Sequence, residues 1–204
     1  MDISERILEE ADRLFCHYGI KSVTMDDIAK HLGMSKKTIY QSFKDKNTLV
    51  VEMMRLKMEC QVCIMDQTYD ISTNAVHEVF SAVTQMGEML SNMNPMLFHD
   101  LQKYHPQAWQ YFKAFREKKL FQVIYENLKR GISEGYYRKE INIDIITWMR
   151  IGQIDTVFTQ LTYPSNKFNI AQVMTEITEH FLYGICTLKG HKLINTYKQI
   201  TEVE

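Results

Sequence analysis

The sequence predicts an all-α protein in two parts: a three-helix N-terminal domain over residues 1–48 and a helical bundle over 49–204. Three observations carry that expectation. Apolar residues recur at three-to-four spacing along most of the chain, and no run alternates with the period of a strand. Only three prolines and eight glycines interrupt 204 residues, too few for many short strands and turns. Hydrophobic residues make up 45% and charged residues 24%, the balance of a globular core with a solvated surface.

The first helix is expected from Ser4 to Tyr18, with Ser4 as N-cap and Gly19 closing it. Its inner face reads Ile7, Leu8, Ala11, Leu14, Phe15 and Tyr18. A short link leads to Thr24, which with Asp27 resembles a capping box and opens a second helix with Ile28, Ala29 and Leu32 inside. Gly33 breaks that helix. Ser35 then caps a third, KKTIYQSF, in which Ile39 and Phe43 are buried together. Asp45 caps a fourth helix that runs without a breaker to about Asp66, roughly 30 Å at 1.5 Å per residue.

Helical spacing continues to the end. Val76, Val79, Phe80, Val83 and Leu90 form one stripe, and a short helix over Met96–Tyr104 is fenced by Pro95 and Pro106. One long helix is expected from Gln107 to about Ile132, with Gly131 and Gly135 marking its end. Ile145, Met149, Gly152 and Thr156 share a face of the next. The last long helix carries Ile170, Val173, Met174, Ile177, Phe181, Ile185 and Leu188.

Charge bounds the function. A net charge of −1 excludes nucleic-acid binding by bulk positive potential, so any such contact needs a local patch. One exists. Between Lys21 and Lys46 stand six lysines (21, 30, 36, 37, 44, 46) against three acids (26, 27, 45), a local +3. The first twelve residues carry five acids and one arginine, which confines the positive surface to the second and third helices and the start of the fourth. Two short helices joined by a tight, glycine-containing turn are the sequence form of a helix-turn-helix, whose second helix enters the major groove.

The run from Thr24, TMDDIAKHLGMSKKTIYQSFKDKNTL, resembles the N-terminal signature of the tetracycline-repressor (TetR) family of bacterial regulators. Thr24, Ile28, Ala29, Gly33, Ser35, Thr38, Tyr40, Phe43, Lys46 and Leu49 match it at the family's spacings, ten positions over twenty-six residues. Lys37 stands where a small residue is common and Ser42 where His or Tyr is common, so no known operator sequence transfers.

The resemblance implies an N-terminal three-helix helix-turn-helix DNA-binding domain and a C-terminal helical-bundle ligand-binding and dimerisation domain. It implies that Thr24 and Lys46 anchor phosphates, Thr24 by its hydroxyl and Lys46 by charge, and that Tyr40 adds a phenolic hydrogen bond to the backbone; such contacts fix register without reading sequence. Lys36 and Lys37 are the candidates for guanine edges, with Ser35, Thr38 and Ser42 beside them on the same helix. The implied partners are a pseudo-palindromic double-stranded DNA operator, a second copy of the chain and an unidentified small-molecule effector. The function implied is that of a ligand-responsive transcriptional regulator, a repressor released by a small apolar or amphipathic compound.

The dimerising helices would be roughly residues 142–162 and 169–188, where Gly152 and Gly184 fit either close helix approach or ordinary packing. Methionines and aromatics concentrate at Met86, Met89, Met93, Phe98, Tyr104, Trp109, Phe112, Phe115 and Trp148, residue types that line adaptable pockets and also fill cores. An apolar effector cavity is expected there, bounded by the Met86–Phe115 segment and the helix carrying Trp148, under the end of the fourth helix.

Other classes find less support. No acid, base and nucleophile converge by spacing, so an enzyme is not expected. No metal-ligand spacing occurs, His99 and His105 stand alone, and no cofactor is expected. Cys60 and Cys63 form a CxxC inside a continuous helix instead of at its N-terminus, which reads as packing thiols and not a redox pair. The opening MDISERILEE lacks the basic and apolar regions of a secretory signal, and no eighteen apolar residues run together, so a cytoplasmic protein with reduced cysteines and no membrane contact is expected.

Overall fold

The computed structural model describes residues 2–91, 93–94, 96–158, 162–164 and 166–199. It is helical throughout, and its two compact units comprise Met1–Gln61 with Asn92–Phe115, and Val62–Ser91 with Arg116–Glu204. The expected division after residue 48 separates a reading head from the rest. Compactness groups residues 49–61 and 92–115 with that head. Among the described residues no helix is long and apolar enough to cross a membrane.

The first unit holds α1 (Ile3–Tyr18), α2 (Met25–Leu32), α3 (Lys36–Ser42), the first part of α4 (Lys46–Ile71), α6 (Leu97–Tyr104) and α7 (Pro106–Ala114). Asp2, not Ser4, caps α1: its side chain accepts from Ile3 N–H while the Glu5 carboxylate reaches back to Asp2 N–H, a reciprocal pair Ser4 has no partner to make. Ile7, Leu8, Ala11, Leu14 and Phe15 are buried as expected, but Tyr18, the last residue of the helix, is 53% exposed. Thr24 and Asp27 form the expected capping box, and Gly33 closes α2 in the left-handed region at φ 63°. Ile28, Ala29, Ile39, Phe43, Leu49 and Val50 complete this core.

α6 is tied to the link between α1 and α2. Leu97 and Leu101 are buried, and the buried Asp100 carboxylate accepts the Lys21 N–H at 2.9 Å. Asn94 adds its backbone N–H to the Cys16 carbonyl and its amide to the His17 carbonyl. The helix starts at Leu97, one residue after Met96, and Pro95 lies outside the described residues.

The second unit holds α5 (Ala75–Ser91), α8 (Phe121–Ser133), α9 (Ile143–Val157), α10 (Ile170–Ile185) and α11 (Leu188–Tyr197). α5 packs along α10, and α8 packs on α9. Ala75, Val76, Leu128, Tyr137, Phe181, Leu182, Ile185 and Ile194 form its core. Gly131 is required here, because a Cβ would stand 2.0 Å from the Tyr137 ring. Above that ring, Arg130 donates to Glu78, Glu134 and the Ser72 carbonyl, while Tyr137 Oη and Asn127 Nδ2 both donate to the Ala75 carbonyl.

Several boundaries differ from expectation for local reasons. α4 continues to Ile71 instead of Asp66, since nothing between them breaks a helix. The single long helix expected over Gln107–Ile132 is a continuous run, Pro106–Ser133, interrupted by a π-helical segment at Phe115–Leu120. The last helix stops at Ile185 and a new one begins. Thr187 accepts Gly190 N–H as its N-cap, and Gly190 approaches the Tyr136 carbonyl so closely that a Cβ would lie 2.4 Å from it. Leu188, expected inside, is 80% exposed. In the expected span 142–162, the helix covers Ile143–Val157 and residues 159–161 lie outside those described.

Candidate nucleic-acid interface

The tight turn between α2 and α3 depends on Gly33, whose N–H bonds the Lys30 carbonyl while Met34 N–H bonds that of Ala29. Ser35 then starts α3 by accepting Thr38 N–H at 3.1 Å, and its hydroxyl lies 2.9 Å from that of Thr38. Ile39 is fully buried, so the rotational setting of α3 is fixed by its own inner face. With seven residues the helix exposes Lys36, Lys37, Tyr40 and Gln41 together. Tyr40 is 49% exposed, so its hydroxyl is open to solvent beside the two lysines.

The residues expected to contact phosphates are engaged within the protein. Thr24 is exposed at the α2 N-terminus, where its N–H and hydroxyl both donate to Asp27 Oδ2, at 2.8 and 2.6 Å. Those bonds hold the Asp27 carboxyl below the usual carboxylate range. Lys46, at the start of α4, donates to the Ile20 carbonyl at 2.5 Å and lies over the Phe15 ring. Its partial burial lowers the ammonium pKa, opposed by Asp100. Lys36 is paired across the turn with Asp26, which raises its pKa. Lys37 and Ser42 stand on α3 beside them, Ser42 half-buried at its last turn.

Gln41 is a residue the sequence reading passed over. It follows Lys37 by one helical turn, and its amide has the donor–acceptor pair that matches an adenine edge. Its exposure on the same turn as Tyr40 is the signal.

The nine residues expected around an effector divide between the units. In the first, Phe98, Trp109 and Phe112 cluster, with ring centroids 5.1 Å apart for Phe98–Phe112 and 4.9 Å for Trp109–Phe112. Met93 is buried there, Tyr104 is exposed beside Lys21 and Lys103, and Phe115 opens the π segment. In the second, Met86 and the exposed Met89 lie on α5, and Trp148, half exposed, rests against Phe121 of α8 at 5.1 Å. Cys60 and Cys63 are both exposed on α4. His99 is exposed. His105 bonds Asn47 at 3.0 Å, its pKa lowered by burial and then by Lys46.

A short-turn pair of helices, a reading helix seated on its own core and a helical second unit define a helix-turn-helix regulator. Residues 7–53 match the family model for bacterial regulatory proteins of the tetR family, and residues 115–184 match that for the C-terminal region of YsiA-like proteins. The chain belongs to the TetR family of HTH-type transcriptional regulators. Its relatives include YvaF of Bacillus subtilis, named an uncharacterized HTH-type transcriptional regulator, at 29% identity over 90% of this chain and 95% of that one. The HTH-type transcriptional repressor KstR2 of Mycolicibacterium smegmatis is 22% identical over 92% of this chain and 93% of its own. Among solved structures, the fold matches that of the transcriptional regulator FadR from Bacillus subtilis in complex with stearoyl-CoA, with TM-score 0.65 and 18% identity over 89% of this chain and 98% of that one.

Proposed function

We propose that the protein is a homodimeric repressor that binds a pseudo-palindromic operator through Lys36, Lys37, Tyr40 and Gln41 of α3, and is released by a small apolar or amphipathic effector. Thr24, Ser35, Thr38, Ser42 and Lys46 position the helix on phosphates. One observation carries the dimer: α9 is apolar on its outer side as well as towards the core, where Ile151 and Val157 are buried. Ile145, Trp148 and Met149 are 64%, 50% and 44% exposed, while Thr147 and Arg150 face inward. A Cβ added at Gly152 on that outer face, or at Gly184 on α10, would meet nothing within 4 Å. An apolar outer face with room for close backbone approach suits an isologous interface with a second copy.

Two reading heads, each too small to be specific alone, then address half-sites roughly 34–36 Å apart, so a modest change in their spacing breaks simultaneous contact. The repressor name of KstR2 and the amphipathic ligand in the FadR structure support the direction and the ligand class. Selection of bound duplexes from a random pool tests the reading. A two-fold-related consensus, released by members of a metabolite library, is the expected result. A monomer in sedimentation at micromolar concentration, with and without the selected duplex, would refute it.

A further inference from the structure

α9 buries an arginine that no acid balances. Arg150 is 6% exposed, and among the described residues it has no carboxylate partner. One nitrogen, Nη2, donates to Thr178 Oγ1 of α10 at 2.6 Å, and the guanidinium lies 4.9 Å from the centre of the Phe181 ring. The other, Nη1, is buried without an acceptor. One turn along the helix, Gln153 Oε1 is likewise buried and unbonded. Arg116, in the π segment, is paired with Asp155 of α9, yet its Nε also lacks a partner. Arg116 also lies 3.7 Å from Glu117, so the uncompensated positive charge is that of Arg150 itself.

Such a charge is costly to bury, and a hydroxyl and a ring face do not neutralise it. Burial alone pulls the guanidinium down to about 10. A merely structural link between α9 and α10 would be served better by an apolar side chain of similar volume. The same Thr178 borders a cleft of about 160 Å³ between α5 and α10, lined by Phe80, Val83, Thr84, Thr175, Leu182 and Glu179, whose carboxylate is paired with Lys198. About 10–15 Å³ suffices for a water, so this space takes an apolar group of several carbons. Thr178 already donates to the Met174 carbonyl at 2.7 Å and keeps that bond if Arg150 turns to another acceptor.

We propose that Arg150 is the anion anchor of an effector site, receiving the carboxylate of a small monocarboxylic acid whose apolar body occupies the space between α5 and α10. The planar guanidinium offers a carboxylate two parallel donors where Thr178 takes one. A single negative charge balances Arg150, and Gln153 can turn its amide to add a donor. The proposal rests on the reading of the chain as an effector-responsive regulator and names the chemistry of that effector.

Thermal unfolding of the full-length protein tests it with hexanoate, hexanamide and hexyl phosphate. Hexanoate at about ten times its Kd should raise Tm by about 3–5 °C. Hexanamide, with the same body and no charge, should raise it by less than a third as much. Arg150→Met should remove the hexanoate shift without lowering the ligand-free Tm, and Arg150→Lys should keep part of the shift. The hexanoate–hexanamide comparison needs no variant and stands if Arg150→Met does not fold. An equal shift with hexanamide, an undiminished shift in Arg150→Met, no shift with hexanoate, or a stronger response to hexyl phosphate each overturns the assignment. Its failure is distinguishable from failure of the regulator reading. If a neutral compound releases wild type and Arg150→Met from DNA alike, only the anchor falls. If hexanoate binds through Arg150 but no compound alters DNA affinity, the anchor stands and the switch falls.

Discussion

At the scale of single residues, the reading head divides its lysines between two tasks. Lys46 spends one of its three donors on the Ile20 carbonyl, which leaves two for the phosphate contact proposed for it. Lys46→Ala should weaken operator and random duplex alike and lower the slope of log affinity against log salt by about 0.9. Lys36→Ala should narrow the gap between operator and random DNA, since a base edge and not a phosphate is what it loses. Equal loss of specificity in both variants would erase that division. Lys36 must also leave Asp26 before it can reach a base. Asp26→Asn therefore should raise operator affinity about two- to fivefold at low salt, from the modest strength of an exposed pair; an unchanged Kd in a titration would show that Lys36 remains idle. Lys46 was legible as a candidate because the ten-position pattern that contains it is local, and Lys36 because it opens the helix that pattern defines. The inward turn of Lys46 was not, because the Ile20 carbonyl it meets is presented by tertiary packing.

At the scale of elements, legibility followed the strength of local signals. α2 and α3 carry a capping box, a left-handed glycine and a serine cap within twelve residues, and they appear where the sequence places them. The start of α1 was misplaced by two residues because Asp2 and Ser4 are both good caps and only Glu5 decides between them. α11 was missed because the apolar period of α10 runs through Leu188 and Gly184 does not interrupt it, while the stop depends on Thr187 and on a close approach to the Tyr136 carbonyl. On α9 the expected face appears and its direction is now given: Ile145 and Met149 point outward. At the junction of α6 and α7, His105 is buried near Lys46 and held neutral, its pKa below 6.5. A depressed histidine contributes stability that is full above its unfolded value and lost as pH falls below about 6.5 toward the folded value. The fall in Tm between pH 7.5 and 5.5 should be smaller in His105→Gln than in wild type, and parallel curves would remove His105 from the account.

At the scale of the whole molecule, the two units differ in what makes them legible. The first is written in caps and turns, the second in long faces whose partners are far away in sequence, such as Glu78 with Arg130 or Ala75 with Tyr137. Association belongs to this scale. Trp148→Glu places a charge on the outer face of α9, where a second copy would desolvate it. The variant should sediment as a monomer and lose operator binding by more than about tenfold, while its helical circular dichroism is retained. A Trp148→Glu dimer of wild-type strength would move the interface elsewhere.

The π segment at Phe115–Leu120 has a consequence for how the gene can vary. A π turn holds one residue more than the α turn it replaces, closing its bonds at i+5. Loss of one codon there, for example that of the exposed Lys118, leaves an ordinary α turn, and Asn127, Leu128 and Gly131 keep facing inward. Loss of one codon inside α8 instead rotates every following side chain by about 100°, carrying Gly131 away from the Tyr137 ring. Among single-codon deletions across residues 106–133, survivors should therefore cluster within the π segment, a frame-preserving scar that the chain can lose again.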